Sequence, residues 1–194
     1  MSAQGARDLE VRLLAAVLAD PVCAELVERL PALDLPDWWI AAGAVFQNVW
    51  NHVEGRPPGW GITDYDVFYC DDGDLGWEAE DAVIRRVDDA CADLGARLEV
   101  RNQARVHLWY AERFGVPAMP FRRATDGIDA FVATTCQVGI TREAEGLRVY
   151  APHGLEDVFA PRLRPHRARP LQDVYEAKAR DYQRRWPSLT VEPW

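Results

Sequence analysis

No apolar run in the 194-residue sequence reaches the ~20 residues that a membrane-spanning helix requires, so no span is expected. The opening MSAQGARDLEV lacks the basic-then-apolar pattern of a secretory leader, and the expected location is the cytoplasm. Cysteine is sparse and scattered. Cys23, Cys70, Cys91 and Cys136 form no C-x-x-C pair, which suggests neither a zinc site nor a disulfide framework and predicts free, mostly buried thiols. Positive charge is short too: 22 Lys and Arg stand against 31 Asp and Glu, and a net charge of -9 argues against broad binding to DNA or to an anionic membrane surface. Repeats and low-complexity segments are absent.

What is present suffices for one core. At 48% hydrophobic and 27% charged, 194 residues can bury a sizeable interior but are too few to promise two. Residues 1–194 are therefore read as a single domain, with a helical lead-in over 1–37 and a core with a C-terminal helix over 38–194. Within the lead-in, Val11, Leu13, Leu14, Val17, Leu18, Val22, Leu26, Val27 and Leu30 fit one or two amphipathic helices, and Asp20-Pro21 offers an N-cap and a first-turn proline for the second.

The chain is organised around residues 38–66, WWIAAGAVFQNVWNHVEGRPPGWGITDYD. An apolar run meets Gly43, a helix follows to about Gly55, and after a proline-glycine loop residues 62–69 read as a buried strand. Side chains alternate along a strand, so Asp64 and Asp66 share a face. Two adjacent carboxylates on a sheet repel each other and cost desolvation, which suits them to a hard divalent cation, Mg2+ or Mn2+, better than to packing. Gly43 at a helix start offers backbone N–H groups to a phosphate. An ordinary turn glycine is the alternative, and the acids downstream favour the phosphate reading.

Several stretches together carry a family resemblance: the Gly43 turn and its helix, Gln47-Asn48-Val49-Trp50, Thr63-Asp64-Tyr65-Asp66-Val67, Glu99-Val100-Arg101-Asn102-Gln103-Ala104-Arg105 and Gln137-Val138-Gly139-Ile140. They resemble a bacterial nucleotidyltransferase family of the polymerase β-like superfamily. The resemblance implies an α+β fold, a nucleotidyltransferase-like mixed β-sheet with helices packed against it, in which residues 96–101 form a strand beside the acidic one. Glu99 then becomes a third carboxylate, a base or shared ligand near the attacking hydroxyl, while Asp64 and Asp66 hold the metal. Many superfamily members carry Ser or a second Gly where this chain has Ala44, so a hydroxyl contact to phosphate is missing from a cradle formed by Gly43 and Ala44.

Around this frame the polar cluster Asn102, Gln103, Arg105 and His107 is the least generic in the chain. Arg105 suits a phosphate or could neutralise the acids, Asn102 or Gln103 suits a base or ribose edge, and His107 reads as a hydrogen-bonded structural histidine. Residues 77–94 form an amphipathic helix ending at Gly95, residues 117–121 are proline-marked, 137–141 and 147–152 read as strands, and 174–186 as a helix. The basic run RLRPHRAR at 162–169 is either a triphosphate- or RNA-facing patch or a solvated loop. The reaction expected is transfer of a nucleoside monophosphate from a nucleoside triphosphate to an acceptor (small molecule, RNA or protein), with pyrophosphate leaving. The alternatives are a metal- and nucleotide-binding module without activity and a phosphoesterase using the same carboxylates.

Overall fold

The structure is a computed structural model that describes residues 3–117 and 119–194. Met1 and Ser2 of the lead-in, and Ala118 of the proline-marked stretch, lie outside these residues. The lead-in is two helices, α1 (Ala3–Leu18) and α2 (Pro21–Arg29). Asp20 caps α2 as read from the sequence, accepting from the Val22 N–H at 3.0 Å. Val11, counted among the apolar stripe, is instead 67% exposed, so the stripe on α1 is narrower than its composition suggests.

The core begins with β1 (Trp39–Ala41), turns into α3 (Gly43–Glu54) and returns as β2 (Tyr65–Tyr69). It continues through α4 (Trp77–Cys91), β3 (Leu98–Asn102), the short helices α5 (Tyr110–Phe114) and α6 (Ala124–Ile128), and the hairpin β4 (Gly139–Glu143) and β5 (Gly146–Tyr150). A short α7 (Glu156–Phe159) leads to β6 (Arg162–Leu163), α8 (Gln172–Arg185) and β7 (Thr190–Val191). The main sheet has the order β3-β2-β1-β4-β5. β1 runs antiparallel to both β2 and β4, and β2 and β3 run parallel. The α+β architecture with a mixed sheet and a helical lead-in is the one expected.

Two contacts fix what matters for the site. Asp20, only 2% exposed, accepts from Asn48 Nδ2 at 3.0 Å and from the Tyr65 hydroxyl at 2.9 Å, joining the lead-in to α3 and to the first residue of β2. These donors satisfy a buried carboxylate and tether the strand that carries Asp66. On the other side of α3, Trp50 meets Trp186 at 5.4 Å between ring centroids, and Phe46 meets Tyr182 at 5.6 Å, both edge to face. Trp186 also donates to Asn51 Oδ1 at 2.8 Å. Such aromatic pairs add geometric preference to burial, so α8 is held in one orientation against α3.

Candidate active site

The turn from β1 into α3 is built on an unusual residue. Ala42 adopts φ 48 and ψ -120, a left-handed conformation that costs a side chain on the order of 1–3 kcal/mol. This turn lets the Ala42 carbonyl accept from both the Val45 and Phe46 N–H groups, at 2.9 and 3.0 Å. The N–H groups of Gly43 and Ala44 then have no hydrogen-bond partner among the described residues. A Cβ added at Gly43 would lie 2.8 Å from Gln47 Nε2, so the glycine leaves room for that amide at the helix start. Ala44 departs from the cradle expected of it: backbone and methyl alike are fully buried in the core, and Gly43 is the residue of the pair that stays accessible.

β2 begins at Tyr65, so Asp64 lies one residue ahead of the strand, and Asp66 is the register partner of Glu99 on parallel β3. Adjacent strands lie ~4.8 Å apart, so the two carboxylates stand side by side. Asp64, Asp66 and Glu99 all line one cavity of about 750 Å³, together with Gly43 and Gln47. The Asp66 carboxyl is pushed up from 3.8 to about 7, first by burial, then by the charges of Glu99 and Asp64, with Lys178 and Arg101 opposing. Glu99 is paired with Arg101 at 3.3 Å on the same strand face.

Arg105 lines the cavity, yet its guanidinium is spent on structure: it pairs with the buried Glu80 of α4, and its Nε donates to the Leu75 carbonyl at 2.9 Å. Asn102 is not brought to the cavity. Its amide donates to the Asp71 carbonyl at 2.8 Å and accepts from the N–H groups of Asp71 and Ala104, each at 3.1 Å, so the base- or ribose-reading role expected of it is replaced by a loop clasp. His107 also departs from expectation, because its Nδ1 is buried without a hydrogen-bond partner. The basic run closes on itself. Arg164 pairs with Asp157 at 2.8 Å, Arg167 with Glu192 at 3.0 Å, and Arg169 donates to the Tyr110 hydroxyl at 3.3 Å.

A sequence model of the Nucleotidyltransferase family matches residues 28–191. The chain belongs to that family. An NMR structure described as revealing a CCA-adding enzyme head domain has the same fold, with a TM-score of 0.76 and 21% identity over 94% of this chain and 95% of that one. No curated protein sequence matches. The cavity also holds one candidate that the sequence reading missed. Lys178, on α8, lines the cavity, bears on the charge of Asp66, and forms no ion pair among the described residues. It is the only lysine in a chain with 22 basic residues, and that scarcity was the signal. Lys presents a compact ammonium suited to a phosphate oxygen, where Arg presents a planar fork.

Proposed function

We propose that the protein transfers a nucleoside monophosphate from a nucleoside triphosphate to an acceptor hydroxyl or phosphate, with release of pyrophosphate. Family membership supports nucleotidyl transfer in general. The observation that carries the specific reading is the register of Asp66 against Glu99 in the cavity that also takes in Asp64 and Gly43.

The donor set fits a divalent metal. Among the described residues no three His, Cys, Asp or Glu are gathered into a ready cation cage, but Mg2+ is commonly held by one or two carboxylates together with substrate phosphates. Asp64, Asp66 and Glu99 would hold it, and the burial, together with the charges of Glu99 and Asp64, that pushes the Asp66 carboxyl to about 7 is the cost that a cation would relieve. When bound, such a cation supplies charge neutralisation at the phosphate under attack. The chain's own residues do the rest. The unpartnered amide of Gly43, at the positive end of α3 and on the cavity wall, binds a phosphate oxygen. Lys178 faces the same cavity and balances the charge gathering on the departing pyrophosphate. Glu99 accepts the acceptor's proton, with Arg101 holding its carboxylate in place.

The test is calorimetry of each nucleoside triphosphate with Mg2+ on the wild type, Gly43→Val and Asp64→Asn/Asp66→Asn. Loss of binding in both variants is expected. Undiminished binding in the double variant removes the acids from the site.

A further inference from the structure

The cavity is asymmetric about its acids. The groups suited to a triphosphate are the Gly43 turn, which follows β1, and Lys178, which bears on Asp66 of the interior strand β2; Glu99 lies on the edge strand β3, against which α4 with Trp77 at its start packs, and Trp109, Arg113 and Phe114 follow β3 around α5. The attacking hydroxyl must meet Glu99, so the acceptor enters from the β3 side. That side is aromatic. Trp77 is 58% exposed although its ring borders the cavity, and Trp109 and Phe114 are half-buried there, their rings 6.5 Å apart. An indole left this accessible at a cavity mouth gains its hydrophobic and stacking energy only when a ring covers it.

Charge narrows the choice further. A polynucleotide acceptor needs several unengaged cations along its path. Here Arg105 is held by Glu80, Arg101 by Glu99, and Arg164 and Arg167 of the basic run by Asp157 and Glu192, so of the cavity's three arginines Arg113 alone lacks an acid partner among the described residues. The turn before Trp77 carries Asp71, Asp72 and Asp74, all exposed, and Glu78 follows. This rim repels phosphate chains and accommodates a neutral or cationic molecule.

Building on the nucleotidyl transfer proposed above, we infer that the acceptor is a small, flat ring compound carrying a hydroxyl, neutral or cationic, stacked against Trp77 and Trp109. Its oxygen forms a bond to the α-phosphorus as the bond from that phosphorus to the β-bridging oxygen breaks. Pyrophosphate leaves with the bonding electrons, and the hydroxyl proton passes to the Glu99 carboxylate.

The experiment incubates the full chain with Mg2+ and each nucleoside triphosphate in the presence of tyramine, pyridoxine and a library of ring alcohols and phenols. Sorbitol and an RNA hairpin with a 3′-hydroxyl serve as the contrasting acceptors, and products are read by mass spectrometry. Adducts heavier by one nucleoside monophosphate are expected on ring compounds. Trp77→Ala and Trp109→Ala should each raise the acceptor KM at least tenfold with the triphosphate KM unchanged, and Trp109→Phe should recover most of the loss. Modification confined to sorbitol or RNA overturns the inference. So does a rise in triphosphate KM in the Trp variants, which would put the nucleobase on these rings. Calorimetric binding of the Mg2+–triphosphate without any ring adduct overturns the inference while leaving the nucleotide site standing; failure of that binding removes the site itself.

Discussion

The crowded carboxylate at Asp66 makes a quantitative prediction that needs no substrate. Its carboxyl rises from 3.8 to about 7 in the fold. Between those values the folded chain binds a proton that the unfolded chain has already lost, so stability is greatest in acid and falls as the pH rises toward 7. Above the folded-state value the cost is complete and constant. A shift of this size corresponds to an upper limit of about 4 kcal/mol, and solvent access to a half-buried group lowers the expectation to about 2–4 kcal/mol. That is a large share of the ~5–15 kcal/mol by which a domain is stable. Asp66→Asn keeps the shape and removes the charge. In urea unfolding with a chelator present, the variant should exceed the wild type by about 2–4 kcal/mol at pH 8, and the difference should vanish near pH 4. Adding Mg2+ should then stabilise the wild type and leave the variant unmoved. A variant that is less stable than the wild type at pH 8, or a difference independent of pH, would refute the claim that the Asp66 charge is penalised by its burial and its neighbours.

Other expectations are simpler. Trp186→Ala should cost about 3–5 kcal/mol in chemical denaturation, because it empties the fully buried contact between α8 and α3 and strands the Asn51 oxygen. Ala42→Gly should stabilise the chain by about 1 kcal/mol in the same assay by relieving the left-handed turn; a loss instead would mean that the turn is not strained. Lys178→Ala should raise the triphosphate KM, and Lys178→Arg should recover only part of the loss, whereas equal kinetics for all three proteins would take the ammonium out of the site.

The elements were legible where periodicity and punctuation agree. Asp20-Pro21 announced α2, Gly55 and Gly95 marked helix ends in left-handed geometry, and the alternation around Val67 and Val100 gave β2 and β3. Glu99 was legible only through the family likeness, since nothing local says that β3 lies parallel to β2. Side-chain commitments were the hidden part. Asn102 and Arg105 look like ligand-reading residues in a string of letters, yet a loop carbonyl and a buried Glu80 claim them, and those partners lie about twenty or thirty residues away. Lys178 was hidden for the opposite reason. It stands at helical spacing from Tyr175 and Tyr182, beside the apolar face of an amphipathic helix, and the aromatic contacts of Tyr182 and Trp186 with α3 turn that face toward the acids.

The most direct measurement of the central claim follows the nucleotide itself. An α-labelled nucleoside triphosphate is incubated with Mg2+ and the acceptor library, and label is traced by mass spectrometry for the wild type and for Asp64→Asn/Asp66→Asn. The wild type should move the labelled monophosphate onto an acceptor with one pyrophosphate released per transfer, and the double variant should move none while remaining folded. Transfer that persists in the double variant, or label released by the wild type only as free monophosphate, would contradict nucleotidyl transfer at these carboxylates.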